Sequence, residues 1–408
     1  MGTGAGTKGK SPFYPGQPVP IDLFVGRTAQ IERIMQRGAG QVAAGKPVSV
    51  FIQGEYGIGK SSIAGYLQAL AEKVCNLHSI YAPLGGAETI EELASKVVEA
   101  TLRSGAFVPQ RAERLKNWLA KYIGEQSLFG FTLHAEALQS DAPSIATGML
   151  PFLSEVYSRL RDTGIKGLFL IFDEINGITR NPRFSHFVKG LVDTNAISRQ
   201  PLPLLLGLCG VEERRREMIA HHQPVDRIFD VVDIDPLTPD EMREFFRRAF
   251  SSVNMQVRDD ALETMVHYSA GFPKIMHLVG DAAYWRDADG VIDSNDALAG
   301  VIMAADEVGK KYVDQQVYRA LRSADYHSIF KKIAQLSPTQ MAFHKRQVEQ
   351  GLTETEKRKF DNFLQKMKTL KVLRSGEVRG EYIFNVRMAR LYIWLQSHPA
   401  QGTLDPPQ

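Results

Sequence analysis

The sequence predicts an α/β fold in which helices cover both faces of a parallel sheet. Three observations support this prediction: strand-like apolar runs alternate with segments of helical period, a glycine-rich turn joins the first run to a helix, and an acidic pair ends a later run. The strand-like runs are VSVFIQ (48–53), HSIYAPL (78–84), GLFLIFD (167–173), PLPLLLGLCG (201–210) and FDVVDIDPL (229–237).

The ends of the chain differ in composition from the middle. Residues 1–22 are rich in Gly, Pro and Ser and are predicted to form a flexible or loosely docked arm, with a matching tail at 398–408. The α/β core is expected over 23–236. A helical lid is expected over 237–313, because Thr238, Pro239 and Glu241 supply an N-cap, a first helical residue and a capping box.

The turn after the first strand has the chemistry of a phosphate-binding loop. Glycines at 54, 57 and 59 allow successive backbone N–H groups to converge on one anion, and the following helix contributes its positive end. Lys60 can reach β- and γ-phosphate oxygens and the Ser61 hydroxyl suits Mg²⁺, which completes the pattern G-x-x-x-x-G-K-[ST]. An ordinary glycine turn is the alternative. The residues predicted to bind nucleotide here are Gly54, Tyr56, Gly57, Ile58, Gly59, Lys60, Ser61 and Ser62.

The run GLFLIFDEING places Asp173 and Glu174 at the carboxyl end of a buried strand. In an open parallel sheet that end faces the ligand crevice. Asp173 is therefore predicted to hold Mg²⁺ through water and Glu174 to activate the water that attacks the γ-phosphate. Acidic pairs also follow strands in ordinary loops, so this prediction depends on the neighbouring phosphate loop.

Composition excludes several classes of protein. The 408 residues are 44% hydrophobic and 23% charged, typical of a globular chain of two or three domains. We find no apolar run of about 20 residues and no hydrophobic signal segment, and Gly6 breaks the myristoylation pattern. Two cysteines, Cys75 and Cys209, are too few for a disulfide framework or a zinc site. A cytoplasmic protein without a membrane partner is expected.

One segment between the two motifs is ambiguous. Residues 127–138, SLFGFTLHAEAL, alternate partly between apolar and polar residues. A small hairpin, an interaction loop and a surface insertion all fit this pattern.

Four segments together resemble a known family. FVGRTAQIERI (24–34), GEYGIGKSS (54–62), LIFDEI (170–175) and GFPKIMHLVGD (271–281) are similar to segments of the AAA+ and STAND-type P-loop ATPases, in the archaeal-ATPase and origin-recognition-like branch. The resemblance covers roughly residues 20–397 and implies a C-terminal winged helix, here residues 314–397. It also implies that Val25, Gly26 and Arg27 line the pocket of the base.

The same resemblance implies roles for two basic residues. Arg227 occupies the position of the arginine finger that reaches the γ-phosphate of a neighbouring subunit, although a surface arginine is equally compatible and Arg214, Arg215 and Arg216 lie nearby. Lys274 matches the second sensor in the lid. One position departs from the family pattern: the strand PLLLGLCG (203–210) ends in Cys209 and Gly210, where an Asn, Thr or Ser should orient the attacking water. Slow turnover is as compatible with the sequence as a fast motor.

Positive charge is concentrated near the C-terminus. Residues 325–395 contain 14 Lys and Arg against 7 Asp and Glu, a net +7, whereas the whole chain carries +3. Three helices are predicted, the last with a Thr353/Glu356 capping box and an apolar stripe, and VLRSGEVRGEYIFNV (372–386) would form two strands of a wing. The apolar stripe is predicted to comprise Phe360, Phe363, Leu364, Met367 and Leu370. The residues predicted to contact duplex phosphates are Lys357, Arg358, Lys359, Lys366 and Lys368.

The sequence thus predicts an ATP- and ADP-binding, Mg²⁺-dependent ATPase that forms homo-oligomers or changes shape with its nucleotide. Its partner is either double-stranded DNA, as for an initiator-like or transposition-type ATPase, or a protein, as for a STAND-type signalling switch. The basic helix face can also be no more than a solvated surface. A nucleotide-holding scaffold with little turnover is a third possibility.

Overall fold

The computed structural model describes residues 8–17, 20, 23–104, 143–319, 321, 323–337, 340–376 and 378–397. These residues form two compact units, one within 18–235 and the other built from residues before 18 and after 235. The ambiguous segment 127–138 and the predicted tail 398–408 lie outside the described residues. None of the described helices is long and apolar enough to cross a membrane.

The first unit is organised around a parallel sheet of five strands. Its order is β2-β3-β4-β1-β5, so β1, which precedes the glycine-rich turn, lies between the fourth and fifth strands. The strands are β1 Val48–Gln53, β2 Leu77–Pro83, β3 Gly167–Asp173, β4 Leu204–Gly210 and β5 Asp230–Asp233. All five predicted runs therefore form strands of one sheet.

Burial explains why these runs could be recognised. Every residue of β3 and β4 is buried, as expected for the middle of a parallel sheet covered on both faces. The register pairs Pro83 with Asp173 and Gln53 with Gly210. Since parallel strands end at a common edge, the glycine-rich turn after β1 and the acidic pair at the end of β3 lie at the same carboxyl edge, with β4 between the two strands.

Helices pack on both faces of this sheet. The helices of the first unit are α1 Thr28–Ile34, α2 Gly40–Ala43, α3 Lys60–Cys75, α4 Ile90–Arg103, α5 Pro143–Leu160, α6 Pro182–Ala196 and α7 Glu212–His221. A wider helical turn, Met35–Ala39, joins α1 to α2, and shorter 3₁₀ turns follow at Arg161–Thr163, Ile178–Arg180 and Gln223–Ile228.

The second unit begins with the predicted capping box. Thr238 Oγ1 accepts a hydrogen bond from the Glu241 N–H at 3.3 Å, and the Glu241 carboxylate accepts from the Thr238 N–H at 2.8 Å. The helices here are α8 Pro239–Ser251, α9 Asp259–Ser269, α10 Pro273–Arg286 and α11 Ser294–Val308. Two short parallel strands, β6 Gln256–Val257 and β7 Val291–Ile292, accompany them. Helical turns continue from α11 through Gly309–Tyr318, so the predicted boundary at 313/314 falls inside a helical segment.

The C-terminal module combines helices with a small antiparallel sheet. Its elements are α12 Ala324–Ala334, β8 Ala342–His344, α13 Lys345–Glu349, α14 Glu354–Thr369, β9 Leu373–Ser375, β10 Glu381–Phe384 and α15 Arg387–Ser397. The sheet order is β8-β10-β9. Three helices and the two wing strands form as predicted, whereas the three-residue β8 was not predicted.

The described part of the N-terminal arm is packed rather than flexible. Phe13 is buried in the second unit, with its ring centroid 5.0 Å from that of Phe250. The Tyr14 N–H donates to His277 Nδ1 at 3.1 Å, and Lys8 forms an ion pair with Asp287 at 3.1 Å. The prediction of a flexible arm therefore does not describe residues 8–17, because composition cannot register a single aromatic residue that enters a distant apolar site.

Candidate functional site

The turn between β1 and α3 has the backbone that the sequence predicts for a phosphate loop. Gly57 and Gly59 have φ values of 78° and 98°, in the left-handed region that favours glycine. A Cβ on Gly54 would lie 2.8 Å from the carbonyl oxygen of Ile234. Ile58 is buried. The geometry of the turn thus requires glycine at all three of these positions. Helix α3 begins directly after the turn, at Lys60.

Lys60 turns its ammonium group back into this loop. Its Nζ donates to the carbonyl oxygens of Gly54 and Glu55, both at 2.8 Å, and lies 5.6 Å from the ring centroid of the exposed Tyr56. Burial lowers the pKa of Lys60, while nearby acidic groups, with Cys209 and Asp173 foremost, act in the opposite direction. A half-buried ammonium group held by neutral carbonyl oxygens is well suited to a phosphate anion.

The two predicted metal ligands are joined through a third residue. The Tyr81 hydroxyl, from β2, donates to Asp173 Oδ2 and lies close to the Ser61 hydroxyl. Asp173 is 3% exposed, and its Oδ1 accepts from the Glu174 N–H at 2.9 Å. Burial raises the pKa of Tyr81, and the Asp173 carboxylate raises it further. The structure therefore brings Ser61 and Asp173 to one place.

This donor set suits Mg²⁺, which prefers hydroxyl and carboxylate oxygens and commonly takes its other ligands from phosphates and water. The described part of the chain contains no group of three or more His, Cys, Asp or Glu residues that could hold a metal ion. The protein ligands predicted for this site are the hydroxyl of Ser61 and the carboxylate of Asp173.

Glu174 has an unusual backbone conformation. Its φ is 55°, although it is not glycine, and its side chain is exposed. The carboxylate lies against Gly85, where an added Cβ would overlap Glu174 Oε2. Residues held in the left-handed region cluster at functional sites, because the surrounding structure must compensate for the strain.

The Val-Gly-Arg turn packs against the phosphate loop. Val25 is buried, and Gly26 and Arg27 have positive φ values of 73° and 64°. The buried Arg27 guanidinium donates to the carbonyl oxygen of Ile58 at 2.9 Å and also to that of Asp235. Arg27 thus ties the loop to the segment that follows β5, a supporting contact that the sequence did not predict.

The carboxyl end of β4 carries no polar side chain close to Asp173 other than the thiol of Cys209. Cys209 is fully buried, and burial raises the pKa of its thiol well above the ordinary value. The structure therefore agrees with the sequence: a buried thiol occupies the position where the family pattern has an Asn, Thr or Ser. Both cysteines are free.

Arg227 lies at the opposite edge of the sheet from the phosphate loop. It belongs to the turn Gln223–Ile228 before β5 and lines a cavity of about 580 Å³ together with Val48, the first residue of β1, and Leu204, the first of β4. β1 alone spans roughly 16 Å at 3.3 Å per residue. The Arg227 side chain forms no ion pair or hydrogen bond with any other described residue.

The other arginines near Arg227 are engaged. Arg215 donates to Gln53 Oε1 at 2.9 Å and forms an ion pair with Asp226. Arg214 pairs with Glu217 at 2.9 Å, and Arg216 pairs with Glu212 at 2.6 Å. Among these four arginines, Arg227 is the one whose guanidinium has no partner within the described residues.

Lys274 lies in the second unit, at the second residue of α10. Its side chain is exposed and has no partner in the part of the chain that the structure describes. A cation at a helix N-terminus is disfavoured by the helix dipole. Its proposed contact with phosphate stays a prediction.

The five basic residues predicted to bind DNA fall into two groups, all on α14. Lys357 pairs with Glu354 at 2.8 Å, Lys359 pairs with Asp325, and Lys368 donates to Ser375 Oγ at 3.0 Å. Arg358 and Lys366 are exposed, and their side chains contact no acidic group that the structure describes.

Two functional residues were missed by sequence reasoning. Tyr81 and Gly85 both follow from the position of β2 beside β3, which the sequence predicted only as two separate strands. A tyrosine hydroxyl near the carboxyl end of a predicted strand was the available signal for Tyr81. Gly85 had none, since paired glycines are ordinary in turns.

Comparison with known proteins identifies the first unit. A family model for the AAA ATPase domain matches residues 23–219. No curated protein matches the chain. A Walker-type ATPase of Pyrococcus abyssi is 16% identical, with 93% of this chain and 98% of that chain covered and a TM-score of 0.55. The ORC2 protein of Aeropyrum pernix, solved in ADPNP and ADP complexes, is 11% identical, with 96% and 98% covered and a TM-score of 0.60.

At these identities the two structural likenesses show a shared fold, which confirms the predicted fold class: a P-loop α/β core followed by helices and a winged-helix module. The match of the family model confirms the predicted resemblance to AAA+ ATPases and the predicted enzyme class, an ATP-hydrolysing and therefore ATP-binding protein.

Proposed function

Because residues 23–219 of this chain belong to the AAA ATPase domain family, we propose that it is a Mg²⁺-dependent ATPase whose nucleotide state controls its oligomerisation and its engagement with DNA. The observation that carries the proposal is that Lys60 and Ser61, after β1, and Asp173, at the end of β3, lie at the same edge of the sheet, with Tyr81 hydrogen-bonded to Asp173 and close to Ser61.

Each residue of the site has a distinct task. The amides of the glycine-rich loop and the Lys60 ammonium hold the phosphates, and the dipole of α3 adds to their attraction. Ser61 and Asp173 would hold the metal ion. Bound there, Mg²⁺ supplies charge neutralisation for the phosphoryl group that is transferred. Glu174 accepts a proton from the attacking water, and its exposed carboxylate at the edge of the site supports this role.

Turnover is expected to be slow. A thiol is a weak hydrogen-bond donor, and the buried Cys209 occupies the position where a hydroxyl or amide would orient the water. Without that group, Glu174 must orient the water and accept its proton. A long-lived ATP state is useful to a switch, because the bound form then persists long enough to engage a partner.

Oligomerisation is proposed from the position of Arg227. Since it lies at the amino edge of its own sheet, its guanidinium is suited to the nucleotide of a neighbouring copy rather than to its own phosphate loop. The engagement of Arg214, Arg215 and Arg216 with acidic partners supports the choice of Arg227. Such an arginine stabilises transition-state charge that no group at the same subunit's site neutralises.

Double-stranded DNA is the proposed partner of the C-terminal module. Arg358 and Lys366 project from α14 without acidic partners among the described residues, and α14 follows α13 as the third helix before the wing. Unpaired cations along one exposed helix suit a phosphate backbone. The competing candidate is a protein partner, as in a STAND-type switch; the pairing of Lys357 and Lys359 with acidic residues favours it, because paired lysines contribute less to DNA binding.

The decisive experiment separates binding from hydrolysis. Lys60→Ala should abolish ATP binding measured by calorimetry, whereas Lys73→Ala, an exposed lysine on the same helix, should bind as the wild type does. Unchanged affinity in Lys60→Ala would refute the assignment of the site.

Glu174→Gln should retain ATP and stop phosphate release. Particle mass measured with ADP, ATP and a non-hydrolysable analogue, each with and without duplex DNA, tests whether assembly follows the nucleotide.

A further inference from the structure

Tyr81 is the residue around which the two oxygen ligands of the site are arranged. Its hydroxyl lies at the carboxyl half of β2, the strand next to β3 in the sheet, where it donates a hydrogen bond to Asp173 and lies close to the Ser61 hydroxyl. A tyrosine ring that is half-buried between two strands is also stiffer than a serine or threonine would be.

The direction of these hydrogen bonds follows from the chemistry of the groups. A carboxylate can only accept, so the single proton of the Tyr81 hydroxyl is donated to Asp173 Oδ2. The Tyr81 oxygen is then left as an acceptor, so toward the nearby Ser61 hydroxyl it can act only as an acceptor. A Ser61 hydroxyl that donates its proton to Tyr81 keeps its own lone pairs available for a cation.

The carboxylate of Asp173 is held at both of its oxygens. Oδ2 accepts from Tyr81, and Oδ1 accepts from the Glu174 N–H at 2.9 Å. Two donors at opposite ends fix the plane of the group against rotation. Such outer contacts orient a ligand before the metal binds, and their removal typically lowers metal affinity by about 10- to 100-fold.

We propose that Tyr81 is the positioning residue that sets the Mg²⁺ affinity of this site, by orienting the Ser61 hydroxyl and the Asp173 carboxylate together. The proposal rests on the proposed function, because it concerns the metal of the same nucleotide site. Tyr81 acts through the two ligands and makes no contact with the nucleotide itself.

The test is Tyr81→Phe, which removes the hydroxyl and keeps the ring. Tyr157→Phe is the matched control, since the Tyr157 hydroxyl makes only a long contact, 3.5 Å, with the carbonyl oxygen of Lys166. Mn²⁺ binding to the protein with saturating non-hydrolysable ATP analogue is followed by electron paramagnetic resonance, and analogue binding is measured separately in chelator.

We expect Tyr81→Phe to weaken Mn²⁺ binding by about 10-fold, to leave analogue binding in chelator unchanged, and to regain full kcat at high Mg²⁺. Tyr157→Phe should match the wild type. Mn²⁺ affinity equal to that of the wild type would overturn the proposal. So would an equal loss of analogue binding with and without metal, which would mark a purely structural role.

A double-mutant cycle keeps the test informative if Tyr81→Phe is less stable. Because Tyr81 acts partly through Ser61, the loss of Mn²⁺ affinity caused by Tyr81→Phe should be smaller in a Ser61→Ala background than in the wild type. Strict additivity would overturn the proposal. If the wild-type protein fails to bind Mn²⁺ and nucleotide together, the proposed function itself is wrong. This outcome is distinguishable from a failure of the Tyr81 proposal, because it is measured on the wild-type protein.

Discussion

The Glu174 carboxylate occupies the space where a side chain on Gly85 would begin. A Cβ built on Gly85 overlaps Glu174 Oε2, and Gly85 lies in the exposed turn that follows β2. The position of Glu174, the residue proposed to activate water, therefore depends on Gly85 having no side chain. Because the overlapping atom is the free end of a flexible side chain, a substitution at Gly85 should move the carboxylate rather than unfold the protein.

We therefore predict that Gly85→Ala lowers the hydrolysis rate at least 10-fold while ATP affinity stays within about twofold, since a small misplacement of a general base is costly in rate. Phosphate release and calorimetric ATP binding measure the two quantities. Gly65→Ala on α3 is the control, because a Cβ there meets nothing within 4 Å. Equal rates in Gly85→Ala and the wild type would remove Glu174 from its proposed role, as would a parallel loss of affinity.

The fold could be predicted from the sequence wherever the signal is local. The runs that became β1 and β3 have the predicted bounds, because strands buried on both faces require mostly apolar residues. The capping boxes at Thr238 and Thr353 were also predictable, since each depends on two residues three positions apart. For the same reason the phosphate loop could be recognised before any strand was placed.

What could not be predicted depends on contacts between distant segments. Tyr81 reaches Asp173 only because β2 pairs with β3, and Phe13 is buried only because α8 and α10 provide its site. The β8 strand is too short to show alternation. Along α14, the sequence predicted the exposed lysines but not their acidic partners, such as Asp325 for Lys359.

The proposed role of Arg227 predicts complementation between two inactive variants. Arg227→Ala retains its own phosphate loop, and Lys60→Ala retains its own arginine, so each should lose activity, Arg227→Ala by about 10³-fold. In a mixture, some interfaces would pair an intact loop with an intact arginine. We expect phosphate release in the mixture to exceed the sum of the two variants measured separately.

The control for this experiment is a mixture of Arg216→Ala with Lys60→Ala. Arg216 already pairs with Glu212, so Arg216→Ala alone should retain its activity and gain nothing from mixing. If the mixture of Arg227→Ala and Lys60→Ala is no more active than its components, the arginine does not act between copies.

The two unpaired cations of α14 predict the salt dependence of DNA binding. Each neutralised phosphate contributes about −0.9 to the slope of log K against log salt. Arg358→Ala combined with Lys366→Ala should therefore make the slope less negative by about 1.8. The matched double variant, Lys357→Ala with Lys359→Ala, removes the same charge from residues that pair with Glu354 and Asp325 and should change the slope less. A wild-type binding curve that does not respond to salt would favour the protein partner.

The packed arm predicts a loss of stability on substitution of Phe13. Its ring is 4% exposed, lies among aromatic residues of α8 and fills space that a side chain on Gly280 would occupy. Phe13→Ala should reduce the free energy of unfolding of the second unit by about 3 kcal/mol, measured by urea unfolding. Tyr14→Ala is the comparison, because Tyr14 is half-buried and its hydrogen bond to His277 comes from the backbone. Equal effects of the two substitutions would show that the Phe13 ring is not an anchor.

His277 makes the same region sensitive to pH. Its Nδ1 accepts the Tyr14 N–H, and burial lowers the pKa of the imidazole from 6.5 to about 4. The unfolded chain therefore binds a proton between these two pH values that the folded chain does not bind, so stability is retained above pH 6.5 and falls as the pH decreases toward 4. The full loss would be on the order of 3 kcal/mol at 1.36 kcal/mol per pKa unit. His277→Asn offers an amide oxygen to the Tyr14 N–H without titrating, and it should flatten the dependence of the unfolding free energy on pH between 6.5 and 5. His186→Asn, in the first unit, should leave that dependence in the second unit as it is in the wild type. If His277→Asn and the wild type lose stability in parallel over this range, His277 is not the group that titrates.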